Sequence, residues 1–419
     1  MIVSFGFFVL FTFFIFIVNF ILISRAWITH TNDEFVNPDK PLISILVPAY
    51  NEEVGIIDSI NSLLNQDYDN YEIIVIDDGS SDNTFELVNS HFGDNDLVQA
   101  FYKDNDGKAM ALNFGATKAK GDYFMCIDAD TILVPHAVRT MIGKKKKGSD
   151  AVAAMVGINN KYTMKNGEPV IADVPSKIST RMQWMEYCRS YVAFRCSLKD
   201  KNVITVISGA CGLISRDIFD KCGGYKKEQL GEDMELTMNI HSNNGTVQFI
   251  SETLAWTEAP DNIKDLGKQR VRWFRGALQA FLSHPKLAVS KGNFIFRQLL
   301  LPYIWISDIL GVWIEIAAWI TLSVIIGTGS FIDWSMFVII WILIMLGHYL
   351  NTVLILLFVK YRLEVDYKRI DRAILMASFE GFTYHFLYLY WLIKAHLQQL
   401  FGVSKKWNKL ERKGVRTSE

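Results

Sequence analysis

Long apolar stretches stand towards both ends of the chain, and the segment between them mixes charged and apolar positions. Residues 3–24 contain no charged side chain and would span about 33 Å as a helix, which is enough to cross a bilayer. Three further apolar segments follow at 299–326, 334–359 and 373–393. We therefore expect membrane helices on both sides of a soluble region.

The first apolar stretch favours an uncleaved anchor over a signal peptide, because it has no basic start and no small-residue cleavage site. The change in charge density along the chain predicts five regions. They are an anchor (1–25), a cytosolic catalytic domain (26–260), an amphipathic interfacial region (261–295), transmembrane or re-entrant helices (296–400) and a basic tail (401–419).

Basic residues beside the apolar segments predict the orientation, since they concentrate on the cytoplasmic side of a membrane. Loop 360–372 carries five lysines and arginines, whereas loop 327–333 carries none. This difference predicts a multi-pass protein of the plasma membrane with a cytoplasmic soluble domain. One conflict stays open: four full crossings would put the basic tail outside, unless the last apolar segment is re-entrant or interfacial.

Short apolar runs alternate with helical patterns in the soluble region. The run "PLISILVP" (41–48) is typical of a central parallel strand, and similar runs at 71–76 and 122–127 predict two more. Strand, polar turn and helix thus repeat three times, which predicts a doubly wound, mostly parallel α/β sheet. Ligands bind such sheets at the carboxyl ends of the strands, where the polar clusters of this chain stand.

Two carboxylates, Asp128 and Asp130, stand one residue apart at the end of the third predicted strand. Like charges at such a position repel each other and lose hydration. A hard cation such as Mg²⁺ or Mn²⁺ would remove the repulsion and bridge the oxygens of a diphosphate. For the pair in isolation, a simpler interpretation is better: one aspartate caps the next turn and the other is solvated.

Composition narrows the class of protein. The formal net charge of −1 lacks the basic excess that is typical of proteins that bind nucleic acid. The five cysteines are odd in number and show no CxxC spacing. We therefore expect reduced thiols facing a cytosol, with no disulfide framework and no zinc site.

Six motifs give the strongest indication of function. "PAYNEE", "DDGSSDNT", "GKAMALN", "DAD", "GED" and "QRVRW" follow one another within residues 41–275, and together they resemble the family 2 glycosyltransferases. With the flanking apolar segments, the chain is similar to the membrane-embedded processive synthases of poly-N-acetylglucosamine, cellulose and hyaluronan, and nearest to the bacterial poly-β-1,6-N-acetylglucosamine synthases.

The resemblance implies a GT-A-like fold and processive, inverting transfer from a UDP-sugar to a growing β-linked polysaccharide. It favours an N-acetylglucosamine polymer of the biofilm type, exported through the chain's own membrane helices. It implies Mg²⁺ or Mn²⁺ as cofactor and the lipid bilayer as surroundings, and it allows a small membrane partner subunit.

The resemblance also assigns residues to the nucleotide side of the site. Ala49, Tyr50 and Glu52 would line the nucleotide pocket, and Asp78 would face the uracil ring. A base needs an edge-on hydrogen-bond partner and an apolar floor, which agrees with these residue types. Simple core packing of Tyr50 remains the alternative for that residue.

Residues for the diphosphate and the metal follow in the same way. Lys108 would lie near the phosphates, Asp128 would approach the ribose or the diphosphate, and Asp128 and Asp130 would form the metal site. Lys108 stands at a predicted helix start, where a cation is not favoured, and this position points to a phosphate partner. A solvated lysine is the alternative.

The second half of the domain would hold the acceptor. In the family, the aspartate of the GED-type motif, here Asp233, is the general base; many relatives have threonine where this chain has Gly231. Gln269, Arg272 and Trp273 of QRVRW complete the predicted set, with Arg272 on the diphosphate and Trp273 on the acceptor sugar. Together with Arg270 and Arg275, this segment predicts an amphipathic helix on the membrane surface.

Alternative functions stay open. One is a non-processive transferase that loads one sugar onto a lipid carrier. Another, within the processive class, is a cellulose, β-glucan or hyaluronan synthase. The third is an inactive scaffold subunit of an export complex. The QRVRW motif argues against the lipid-carrier transferase, and the intact acidic motifs argue against the scaffold. Cys211 has no histidine at a suggestive spacing, so we do not expect it to be a nucleophile.

Overall fold

The computed structural model describes residues 2–158, 164–165, 168–169, 174–288, 292–328, 334–363, 369–381 and 383–403. The strands are β1 (Ile43–Ala49), β2 (Tyr71–Asp78), β3 (Val98–Lys103), β4 (Tyr123–Cys126), β5 (Thr131–Leu133), β6 (Ala151–Ile158), β7 (Met164–Lys165), β8 (Glu168–Pro169), β9 (Gly212–Ser215) and β10 (Val247–Thr257). The helices are α1 (Ile2–Thr29), α2 (Ile56–Leu64), α3 (Thr84–Phe92), α4 (Lys108–Lys118), α5 (Ala137–Gly143), α6 (Ile178–Arg189), α7 (Arg216–Cys222), α8 (Glu232–Ser242), α9 (Ile263–Ser283), α10 (Leu301–Ile304), α11 (Gly311–Gly327), α12 (Trp334–Arg362), α13 (Ile370–Glu380) and α14 (Tyr384–Leu400). Turns of π-helix occupy Ser190–Cys196, Ile295–Leu300 and Trp305–Leu310, and 3-10 turns occupy Lys199–Lys201 and Pro285–Ala288.

An eight-stranded sheet forms the centre of the soluble region, in the order β3-β2-β1-β4-β9-β6-β10-β5. Strand β1 pairs in parallel with β2, from Ile43 opposite Tyr71 to Ala49 opposite Asp77, and its other edge pairs in parallel with β4. Every residue of β2 is buried, as is nearly every residue of β1. Their near-continuous apolar runs therefore reflect burial of both sheet faces.

The second half of the sheet is mixed. Strand β9 runs antiparallel between β4 and β6, and β5 runs antiparallel to β10 at the far edge. The remaining neighbours are parallel, so the prediction of a mostly parallel α/β sheet is confirmed. The sequence pattern predicted β1, β2 and β4 of this sheet but not its other strands, of which β3 and the two reversed strands are short and lack a distinctive run.

Three of the described helical segments are long and apolar enough to cross a membrane: Gly6–Thr29, Ile295–Gly327 and Phe337–Arg362. The fourth apolar segment of the sequence does not form one helix, because α13 ends at Glu380 and α14 begins at Tyr384. Helix α14 packs along α9 instead. The re-entrant or interfacial alternative for this segment stays a prediction. The orientation stays a prediction, and most of the basic tail (404–419) lies outside the described residues.

Candidate functional site

Asn51 links the loop after β1 to the loop after β2 by hydrogen bonds. Its backbone adopts a left-handed conformation with φ of 56°. Its amide donates to Ser80 Oγ (2.8 Å), and its side-chain oxygen accepts from the amide of Ser81 (2.6 Å). The amide of Glu52 donates to Thr84 Oγ1 at 2.8 Å. The predicted nucleotide-pocket residues on either side of Asn51 therefore lie on a loop that is tied to its neighbour.

Asp78 holds the turn that begins α4. It is 3% exposed; its Oδ1 accepts from Lys103 Nζ (2.5 Å) and the amide of Asp106 (3.1 Å), and its Oδ2 accepts from the amide of Gly107 (2.7 Å). The structure thus places Asp78 at the predicted edge of the sheet, with both oxygens engaged by the neighbouring loop. Its contact with a uracil ring stays a prediction.

Lys108 connects two motifs that are far apart in sequence. Its Nζ hydrogen-bonds Asp128 Oδ1 and lies 3.3 Å from Glu232 Oε1. Burial alone would lower the pKa of Lys108, but the carboxylates of Asp128 and Glu232 outweigh it and hold the pKa above its ordinary value. The lysine therefore stays charged. Glu232 was not among the predicted site residues, although the GED motif contained the signal.

The segment "ISGACGL" (207–213) lies close to the same lysine. A Cβ atom at Gly209 would stand 2.8 Å from Lys108 Nζ, so any side chain at Gly209 would force that ammonium group to move. Cys211 is fully buried, and burial raises the pKa of its thiol to about 12. A thiol that stays protonated is a poor nucleophile, which agrees with the expectation for Cys211.

Asp130 lies just beyond β4 and is 8% exposed. Its Oδ1 accepts weakly from Thr131 Oγ1 (3.3 Å) and Thr257 Oγ1 (3.5 Å). Among the described residues, no three His, Cys, Asp or Glu side chains are grouped to hold a metal ion by themselves. Two carboxylates are nevertheless a fitting donor set for Mg²⁺ or Mn²⁺, because such ions usually complete their coordination with substrate phosphates and water.

Asp233 lies in the first turn of α8, and its Oδ1 accepts from the amide of Met234 at 2.8 Å. Burial, followed by the negative charge of Glu232, raises the pKa of Asp233, whereas Lys108 and Arg272 lower it, and the result is about 6. The side chain keeps some contact with solvent. A carboxylate with a pKa near neutrality is suited to accept a proton during turnover.

Helices α8 and α9 approach each other through two glycines. A Cβ atom on Gly276 would lie 2.5 Å from the backbone nitrogen of Gly231, and one on Gly231 would lie 3.2 Å from the Cα of Gly276. This contact leaves little room for a side chain at either glycine. It also brings Arg272 to the segment before α8, where its Nη1 donates to the carbonyl oxygen of Leu230 at 3.4 Å.

The QRVRW motif lies within α9, which packs against α8 and α14. Arg270 is 0% exposed and pairs with Glu186, while Arg275 is 5% exposed and donates to the carbonyl oxygen of Val403 at 2.8 Å. Treating these two arginines as surface charges of an interfacial helix was wrong, because both point into the protein. Trp273 is half-buried, and its ring lies beside the guanidinium group of Arg270 on the same helix.

The structure brings some predicted residues together and leaves others apart. Lys108, Asp128 and Asp233 lie around Glu232, and Arg272 reaches their edge through α9. The nucleotide-pocket residues lie on the adjacent fastened loops. Residues missed from the sequence are Glu232, Glu186 and Gly209, of which Glu186 belongs to no motif.

Residues 44–223 match the family model described as Glycosyl transferase family 2. This part of the chain is therefore similar to family 2 glycosyltransferase domains. Among curated proteins, the poly-beta-1,6-N-acetyl-D-glucosamine synthase of Staphylococcus epidermidis is 32% identical over 240 residues, which are 57% of this chain and 55% of that protein. Its counterpart in Staphylococcus aureus (strain COL) is 31% identical over the same shares. These matches confirm the resemblance, although the chain spans about half the length of these relatives.

A solved structure resembles the whole arrangement. The mannosyltransferase of Pyrobaculum calidifontis, in complex with GDP-mannose and Mn²⁺, superposes with a TM-score of 0.66 at 16% identity, over 96% of this chain and 100% of that chain. At this identity the likeness concerns the fold alone. It confirms the predicted GT-A-like architecture.

Proposed function

We propose that this protein transfers a sugar from a UDP-sugar to a growing β-linked polysaccharide, with N-acetylglucosamine as the favoured unit. One observation carries the proposal: Lys108, Asp128, Glu232 and Asp233, from three separate motifs, lie together near the carboxyl ends of the strands. Buried charges are costly unless they serve one another or a ligand, and this set matches a diphosphate with a cation.

In this proposal the UDP-sugar lies along the loops that follow β1 and β2. Ala49, Tyr50 and Glu52 line the nucleotide pocket, with the base directed towards Asp78. Support comes from the hydrogen bonds through Asn51, which fix the loop before any ligand binds. A preformed loop reduces the entropy that binding must overcome.

The leaving UDP group is stabilised by positive charge. Lys108 contributes its ammonium group, and Arg272 contributes a planar guanidinium that fits two phosphate oxygens. Asp128 and Asp130 would hold Mg²⁺ or Mn²⁺, which when bound would neutralise negative charge on the diphosphate. Lys108 is already held close to the proposed diphosphate position by Asp128.

Asp233 acts as general base. It removes the proton of the acceptor hydroxyl while that oxygen attacks the anomeric carbon and the bond to UDP breaks. One displacement inverts the anomeric centre, so an α-linked donor gives a β-linked product. The pKa of about 6 leaves Asp233 ionised at neutral pH and basic enough to receive the proton.

The acceptor side provides for chain growth. Trp273 offers a flat apolar face to a sugar ring, and such stacking serves successive identical sugars equally well. The three candidate membrane segments would anchor the cytoplasmic domain in the plasma membrane and provide the route for export of the polymer. The names of the curated relatives favour a β-1,6-linked N-acetylglucosamine product.

The test uses the full chain purified in detergent. It is incubated with UDP-N-acetylglucosamine, UDP-glucose or UDP-glucuronic acid, each with Mg²⁺ or Mn²⁺, and UDP release and product mass are measured before digestion with linkage-specific hydrolases. We expect UDP release with UDP-N-acetylglucosamine and a polymer that a β-1,6-specific hydrolase degrades. A single sugar on a lipid carrier would favour the non-processive alternative, and no UDP release from any donor would favour the scaffold.

A further inference from the structure

The predicted acceptor residues depend on a buried arginine between them. Arg270 is fully buried in α9, and its guanidinium carbon lies 4.4 Å from the centre of the Trp273 ring. Its Nη1 donates to Gln269 Oε1 at 2.6 Å. One guanidinium therefore contacts two of the three predicted side chains of the motif, so its position determines theirs.

Glu186 of α6 fixes this arginine. Arg270 Nε lies 3.1 Å from both carboxylate oxygens of Glu186, and Nη2 lies 2.9 Å from Oε2. The hydroxyl of Tyr384 in α14 donates to the same Oε2 at 2.8 Å. Three helices thus meet at one carboxylate, and a fork-shaped guanidinium with such partners has a single orientation.

The indole has a second neighbour on α6. The ring centres of Tyr187 and Trp273 are 6.2 Å apart, with their planes inclined by 34°. Helix α6 therefore positions Trp273 twice, once through the ring of Tyr187 and once through Glu186 and Arg270. A cation held over an aromatic face favours one ring plane, because the attraction depends on the face being presented.

We propose that Glu186 is a positioning residue for sugar transfer: it holds Arg270 against Trp273 and so sets the indole plane that receives the acceptor. This inference rests on the proposed function for its catalytic consequence, but the positioning itself is independent of that function. Glu186 touches neither donor nor acceptor in this proposal.

The chain offers a matched control three residues further along α6. Arg189 pairs with Glu380 of α13, with Nη1 donating to Oε2 at 2.8 Å, and Glu380 is 2% exposed. This ion pair also links α6 to a C-terminal helix, and the partners of the buried Glu380 carboxylate, Arg189 and His348, lie outside α9. Loss of a carboxylate charge at Glu380 should therefore weaken the fold without moving Trp273.

The first measurement reports on the indole alone. The full chain is labelled with 5-fluorotryptophan, and the ¹⁹F resonance of Trp273 is assigned by its loss in Trp273→Phe. We expect Glu186→Gln to shift or broaden this resonance and Glu380→Gln to leave it unchanged. Tyr384→Phe removes only the hydroxyl bond to Glu186 and should give a smaller change, which keeps the test available if Glu186→Gln does not fold.

The second measurement compares sugar incorporated into polymer with UDP released. We expect Glu186→Gln to lower incorporation relative to UDP release by about 10–100-fold, since a displacement of about 1 Å can cost as much. Glu380→Gln should keep the wild-type ratio. An unchanged ratio or an unchanged Trp273 resonance in Glu186→Gln would overturn the inference, as would equal changes in Glu380→Gln. If the wild type releases no UDP, the proposed function fails, and the ¹⁹F spectra alone decide whether Glu186 positions Trp273.

Discussion

The donor side and the acceptor side of the candidate site are held together by different interactions. On the donor side, Asn51 lies in the loop after β1 and Asp78 ends β2, and both bond to the adjacent loops. On the acceptor side, Arg270 pairs with Glu186 at a separation of 84 residues, and Arg275 reaches Val403 across 128 residues. The parallel sheet assembles the first side, and buried charges from distant helices assemble the second.

This difference has consequences for mutation. The bond from the amide of Ser81 to Asn51 Oδ1 is exposed, and bonds of this kind each add little stability, because water replaces them when they break. Removing one partner of a buried ion pair typically costs about 3–5 kcal/mol, because the other charge stays behind without compensation. We therefore expect changes on the donor side to act on chemistry, and changes around α9 to act on stability and chemistry together.

The largest effect is expected on the donor side, at Asp130. Asp130→Ala removes a proposed metal ligand that is 8% exposed and that also accepts from Thr131 and Thr257. Transfer should fall below detection, and EDTA should do the same to the unaltered protein, with recovery on addition of Mn²⁺. UDP release measured by a coupled assay checks both. Full activity in EDTA would contradict the metal assignment.

The next largest effect should occur at Asp233, on the acceptor side. Asp233→Asn should lower transfer by about 10²–10⁴-fold, the usual contribution of a general base. Binding of UDP, measured by calorimetry, should hardly change. Asp220→Asn, an exposed aspartate on α7, serves as the control. A collapse of UDP affinity would place Asp233 in the donor site and contradict the assignment.

The pH profile tests the same carboxylate. A base works only when deprotonated, and the pKa of Asp233 is raised to about 6 in the folded protein. Transfer should therefore fall about tenfold for each pH unit below that value. This acid limb should be absent from the residual activity of Asp233→Asn. A flat wild-type profile down to pH 5 would show that no such base limits the reaction.

Within the QRVRW motif, Arg272 is assigned to the donor side and Trp273 to the acceptor side, so variants of the two residues test the sides separately. Arg272→Ala removes charge from the leaving group and should lower both hydrolysis of the UDP-sugar and polymer formation. Trp273→Ala removes a stacking surface and should lower polymer formation more, by about tenfold if the stack contributes about 1.4 kcal/mol. UDP release and polymer mass are measured in parallel. Equal losses of both in a folded Trp273→Ala protein would make the indole structural.

The positions of the polar clusters on the donor side could be predicted from the sequence, because that information is local; the roles of their residues towards the donor stay predictions. A continuous apolar run followed by a polar turn identifies a buried strand and its carboxyl end, and parallel neighbours bring those ends together. Asp78, Asp128 and Asp130 were found in this way, and the structure places them at the predicted edge. The reversed strands β9 and β5 were missed because few residues carry their pattern.

The acceptor side was predicted less well, because its determinants are tertiary. Glu186 lies in α6 and belongs to no recognisable motif. Only its ion pair with Arg270, which the fold brings together, indicates a role for it. Arg270 and Arg275 have the charge of surface residues, yet α9 buries both between α8 and α14. Helical periodicity alone cannot distinguish a lipid-facing side from one that packs against another helix.

The smallest effect is expected where the backbones of α8 and α9 meet. In an open helix interior, replacing glycine by alanine would stabilise the protein by about 0.5–1 kcal/mol. At Gly276, however, the new Cβ atom would lie 2.5 Å from the nitrogen of Gly231, and backbone there cannot yield as a side chain would. Overpacking of this kind typically costs about 1–3 kcal/mol, which exceeds the gain.

Gly276→Ala should therefore lower the unfolding temperature and move α9 away from α8. Because Arg272 lies on α9 and Asp233 on α8, their separation would grow, and transfer should fall severalfold, with a smaller loss of UDP affinity because Arg272 contacts the diphosphate in the proposed function. Gly327→Ala, where nothing lies within 4 Å of the added atom, is the matched control and should lower neither quantity. If Gly276→Ala is as stable and active as the parent, the close contact is not what sets the distance between the base and the arginine, and the acceptor side must be held by the ion pairs of α9 alone.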